Sequence, residues 1–131
     1  MEIQAAIAFC VLIGALSIFQ LALVLGAPLG RFAWGGAQVR LPANLRAGSG
    51  VAIVIYAVFA LIVLARAGLV SLLPYPQIAQ VGIWVIVAYL MLGVVMNAIS
   101  RSKPERYTMT PVALALCLLA LCVALGAPAR G

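Results

Sequence analysis

Only two side-chain carboxylates, Glu2 and Glu105, and no histidine occur among 131 residues, so the groups that most often move protons or hold metals are nearly absent. Zinc and the harder cations need several nitrogen, sulfur or oxygen ligands, and this set does not make a coordination shell. Three cysteines stand at positions 10, 117 and 122 without a C-x-x-C pair. Cys117 and Cys122 would lie about 140° apart on a helix, which disfavours a bridge between them and thiol oxidoreductase chemistry with it. Proton transfer inside an apolar segment would fall to tyrosine or cysteine, whose ordinary pKa values lie well above 7. The expectation is a non-enzymatic protein with no catalytic residue, no metal and no cofactor.

Binding chemistry is better represented. Between residues 26 and 46 run Gly26-Ala-Pro-Leu-Gly-Arg-Phe-Ala-Trp-Gly-Gly and Gln38-Val-Arg-Leu-Pro-Ala-Asn-Leu-Arg46. Glycines such as Gly35 and Gly36 let backbone N–H groups turn toward an anion, while Arg31, Arg40 and Arg46 can fork onto phosphate oxygens. A second basic stretch, Arg101-Ser-Lys-Pro-Glu-Arg106, adds Arg101, Lys103 and Arg106. These eight positions are the candidate contacts to lipid phosphate. Neither G-x-G-x-x-G nor a Walker sequence is present, so no nucleotide site is implied. Glu105 is close enough in sequence to these cations to form an ion pair with the first loop, worth about 0–1 kcal/mol at a wet surface.

The elements that must position these groups are four apolar runs, at about 3–26, 47–66, 78–100 and 109–127, uncharged apart from Arg66 at the end of the second. At 1.5 Å per residue, runs of about 19 to 24 residues cover the roughly 30 Å hydrocarbon core of a bilayer. A hydrophobic share of 67% is far above the 45–50% of soluble domains. The fold expected is therefore all-α, a single polytopic membrane domain of four helices in an antiparallel bundle over 1–131. The first run lacks the basic n-region of a signal peptide and exceeds its apolar length, so it reads as a retained helix.

Six of the eight basic residues fall in the first and third connections. Under the positive-inside rule both would face the cytoplasm, with the N and C termini and the middle connection outside. Only Arg66 and Arg130 belong to the outer side, Arg66 being expected to snorkel to headgroups. The outer connection, AGLVSLLPYPQ, is itself apolar and reads as an interfacial or partner-covered segment, with Pro74 and Pro76 halting helix two. A net charge of +6 fits this bias and attraction to anionic headgroups at the cytoplasmic face. Basic residues this few, split over two short loops, do not suit nucleic acid.

Helices in a membrane associate where small residues allow close approach. Ala113, Cys117, Ala120, Ala124 and Ala127 form such a stripe on helix four, with most of the leucines between them turned to lipid. Whether that seam is internal or joins subunits, in a homo-oligomer or a larger membrane complex, stays open at this level. Helix three carries Tyr89, Gly93, Asn97 and Ser100 on one face. With Gln20 of helix one and Tyr56 of helix two, Tyr89 and Asn97 make an intramembrane polar cluster, and Gln20 is the expected partner of the Asn97 amide. Proton-coupled export of cations by a bundle of this size would need a carboxylate at mid-depth, which Glu2 at the end of helix one does not supply.

The pairing of G-A-P-L-G-R-F-A-W-G-G at 26–36 with N-A-I-S-R-S-K-P-E-R at 97–106 and a following Pro111 resembles an uncharacterised family of small bacterial four-helix membrane proteins. That resemblance covers nearly the whole chain and implies a multi-pass protein of the bacterial inner membrane, with no activity to carry over. The function expected first is an accessory or scaffold subunit contacting anionic lipid; the alternative is a facilitator or binder of an amphipathic solute or lipid. A tightly packed interior favours the first, and a cavity lined by Gln20, Tyr56, Tyr89 and Asn97 favours the second.

Overall fold

The computed structural model describes residues 2–126 and is all-helical, with α1 (Glu2–Val24), α2 (Ala43–Arg66), α3 (Pro76–Ala98) and α4 (Lys103–Gly126). All four helices are long and apolar enough to cross a membrane. The expected end of helix four at Ala127 and the tail bearing Arg130 lie outside the described residues. Each helix packs on its sequence neighbour, and α4 returns to α1, so the four close into an up-and-down bundle. The core is built from Phe9 and Ile13 of α1, Phe59 and Val63 of α2, Ile83 and Ile86 of α3, and Leu116 and Val123 of α4.

Glycine sets the ends of the first two helices. Gly26 has φ +91°, and Ala27 N–H bonds back to the Ala22 carbonyl while Gly26 N–H bonds to that of Leu23. Gly68, at φ +80°, repeats the pattern, with Leu69 N–H on Leu64 and Gly68 N–H on Ala65. Both are Schellman ends, in which a left-handed residue after the helix satisfies its last carbonyls. The stop of α2 is thus made by Gly68 and not by Pro74 or Pro76. Pro76 instead opens α3 at its first position, where a missing N–H costs nothing.

Two helices begin earlier than their apolar runs. α2 starts at Ala43 and takes Arg46 into its first turns; α4 starts at Lys103 and takes in Glu105 and Arg106. Helix α4 continues through Pro111, so the fourth helix has a charged prologue of two turns that hydropathy alone excludes. Its small-residue seam is internal: Ala113, Cys117, Ala120 and Ala124 are all buried in the core, together with Leu116 and Val123. Leu114, Leu118 and Leu125 are exposed, while Leu119 and Leu121 pack against the core edge.

Candidate ligand cavity and its lid

The first connection folds back over one end of the bundle in two short 3-10 turns, Gly30–Phe32 and Trp34–Gly36. Leu23, Ala33 and Leu41 form a small second core beneath it, flanked by Phe19, Leu29 and Leu45. Close backbone passage is what Gly30 provides, since a Cβ there would lie 2.0 Å from the Gln38 carbonyl oxygen. Trp34 adopts φ +54°, a left-handed conformation that costs a non-glycine residue about 1–2 kcal/mol. Its indole is laid against Gly48 of α2, and its Nε1–H donates to Ser49 Oγ at 3.0 Å. The apolar contact and the hydrogen bond together hold the strained turn in place.

Glu105 joins this lid to α4. Its side chain is only 7% exposed. Ser100 Oγ–H donates to Oε1 at 2.5 Å and Gly35 N–H to Oε2 at 3.4 Å. Ser102 N–H donates to Ser100 Oγ at 3.2 Å, and Ser102 Oγ–H to the Arg31 carbonyl at 2.5 Å. The two loops are therefore tied by hydrogen bonds, and among the described residues Glu105 has no ion pair with Arg31, Arg40 or Arg46. That corrects the ion-pair expectation. The first turn of α4 directs Glu105 under the lid, whereas the arginine side chains run outward. The signal for this start was present in Ser102-Lys103-Pro104-Glu105, a capping-box spacing with proline in the first turn.

The basic residues divide by what they touch. Arg46 Nε–H donates to the Val24 carbonyl at 2.8 Å, so it caps α1. Arg106 reaches the Ser100 carbonyl at 3.4 Å and stacks 4.9 Å over the Tyr107 ring. Arg31, Arg101 and Lys103 are exposed around a shallow cleft beside Gly35 and Gly36, and Arg40 stands apart from it. Neither glycine amide is turned outward: Gly35 N–H meets Glu105, and Gly36 N–H bonds to the Ala33 carbonyl at 2.9 Å. The anion in this glycine turn is the protein's own carboxylate. At the opposite end Arg66 donates to the Ala124 carbonyl at 3.4 Å, a cation at the C-terminal end of α4 rather than one turned fully outward.

Below the lid lies a cavity of about 190 Å³ between all four helices. Gln20, Tyr56, Tyr89 and Asn97 all line it, with Glu105 and Trp34 on the loop side. Gln20 lies against the Tyr56 hydroxyl, and its Oε1 is buried with no hydrogen-bond partner. Tyr89 meets Phe59 edge-on, with ring centroids 5.2 Å apart. Asn97 borders both this cavity and an outer cleft, and among the described residues its amide bonds neither to Gln20 nor to another group, contrary to expectation. Gly93, one turn before Asn97, leaves the space responsible: a Cβ there would find no atom within 4 Å. Gln20 thus meets Tyr56, while Asn97 borders the cavity without closing on either.

Comparison with protein-family models, with curated proteins and with solved structures gives no match for this chain. The class defined here is that of an all-helical chain with four candidate membrane spans, consistent with a small multi-pass membrane protein.

Proposed function

We propose that the protein is a non-enzymatic membrane protein that binds or facilitates passage of a small amphipathic molecule in the cavity under its first loop. The observation that supports this reading is the cavity itself, lined by four polar side chains from three apolar helices. Unfilled space beside the unpartnered buried oxygen of Gln20 is costly unless something occupies it. Its size suits a compact group, since an engineered apolar cavity of about 150 Å³ accommodates benzene. Nearly half of Tyr89 is exposed, at 48%, which supports entry from the side of the bundle.

Orientation follows the basic residues: the lidded end faces the cytoplasm, and a bacterial inner membrane is the location we propose. Arg31, Arg101 and Lys103 around their exposed cleft support a second reading, electrostatic contact with anionic headgroups, at about 1 kcal/mol for each cation near the surface. The apolar outer connection, with Leu72 and Tyr75 exposed, supports a role in a homo-oligomer or larger membrane complex.

Gly93→Leu fills the cavity from a position with free space, and thereby tests the first reading. Native protein extracted gently and examined by native mass spectrometry should retain a small amphipathic molecule that the variant lacks. Equal retention by both proteins, or none by either, counts against the cavity as a binding site.

A further inference from the structure

Resting on the reading of the cavity as a binding site, we infer that its ligand is a compact organic cation, a protonated amine attached to an apolar or aromatic body. Five aromatic rings line the space: Phe19, Phe32, Trp34, Tyr56 and Tyr89. Aromatic faces attract both apolar groups and cations, the latter through the ring quadrupole and more strongly when water is excluded. The polar groups decide between the two. The charged group in the lining is negative and its buried orphan, Gln20 Oε1, is an acceptor, while Asn97 adds unpartnered amide donors beside them. Glu105 is the single ionisable residue of ordinary acid or base strength in the lining, and no lysine or arginine among the described residues borders it.

The acceptors have capacity to spare. A carboxylate offers about four acceptor positions, and Ser100 and Gly35 take two of those of Glu105. Gln20 Oε1, on a side chain 8% exposed, receives no hydrogen bond at all. An ammonium group supplies several N–H donors and one positive charge, which answers both deficits at once. A neutral amphipath could satisfy Gln20 but would bring no positive charge to the carboxylate from the cavity side, where opposite charges attract more strongly than in water. An anion would be repelled by Glu105. The amine end therefore lies toward Glu105 and Gln20, and its apolar body toward Tyr56 and Tyr89.

Trp34 lines the cavity and Trp84 does not, so full-length protein carrying Trp84→Phe in neutral detergent reports binding through one indole. Benzylammonium, benzyl alcohol and benzoate have similar bodies and differ in charge. Saturable change of Trp34 emission is expected with benzylammonium, at least about tenfold tighter than with benzyl alcohol, and not with benzoate. Glu105→Gln keeps an acceptor for Ser100 and Gly35 while removing the charge, and should abolish the preference for the amine. If benzyl alcohol binds the native charge state as tightly as benzylammonium, or Glu105→Gln keeps the preference, the cation assignment is overturned although the cavity remains a binding site. If no probe binds saturably to folded protein, both readings fall. The comparison of the three probes on unaltered Glu105 stands even if the variant does not fold.

Discussion

At the scale of single residues, the lid depends on a backbone position where a side chain has no room and on a hydroxyl that serves two partners. Gly35 and Gly36 both have positive φ, at +80° and +74°, but a Cβ on Gly35 meets open space while one on Gly36 would lie 2.2 Å from Ser102 Cβ. Gly35→Ala should therefore cost about 1–2 kcal/mol of backbone strain alone. Gly36→Ala should cost clearly more, because it also pushes Ser102 off the Arg31 carbonyl; thermal unfolding in detergent separates the two, and equal losses would show that the lid yields freely. Ser100 both donates to Glu105 and accepts from Ser102 N–H. Ser100→Ala strands a buried carboxylate oxygen and an amide, so a loss of about 1–3 kcal/mol is expected, accompanied by a red shift of Trp34 emission as the lid loosens. Glycine and serine are common loop residues, and their partners lie up to 71 positions away. Sequence pattern marked this loop as unusual without indicating that its glycine turn holds Glu105.

Among the elements, α4 carries the largest share of the argument. The alanine and cysteine spacing was legible as a packing stripe, and burial of Ala113, Cys117, Ala120 and Ala124 places that stripe inside one bundle. Ala120→Leu should overpack the core and lower stability by about 1–3 kcal/mol or more. Leu118, 57% exposed, is the proper control, and Leu118→Ala in detergent should stay within about 0.5 kcal/mol. Comparable losses from the two would place the seam elsewhere. Helix α4 also shows why a hydropathy boundary differs from a helical one. Charged residues leave an apolar window but not the helix, because backbone hydrogen bonds continue through Lys103 to Arg106 and proline at the second position loses no bond. Hydropathy consequently places Glu105 in a wet loop and gives no sign of the buried carboxylate, although Ser-x-x-Glu precedes the apolar run.

For the whole molecule, both basic connections lie at one end, joined by the contacts of Ser102 and Glu105 with the first loop. Gln38 and Lys103 are exposed there, and Leu72 is exposed on the α2–α3 connection. In a background lacking the native cysteines, Gln38→Cys and Lys103→Cys should react with impermeant thiol reagents only after permeabilisation, while Leu72→Cys should react in intact cells. Opposite behaviour of positions 38 and 103 would contradict the shared end, and labelling of both in intact cells would reverse the proposed orientation. Four apolar stretches of bilayer length and the placement of cations between them were determined by composition along the chain, since burying such stretches in lipid needs no knowledge of their neighbours. The polar face of α3 and the small-residue face of α4 were equally local, being set by helical spacing. Tertiary structure decided what those faces enclose. Gly93 leaves a space that Asn97 and Gln20 do not bridge, and the first loop closes over it by way of Glu105. A void and an orphaned acceptor arise from the meeting of four helices and a loop, whereas residue spacing records only one helix at a time.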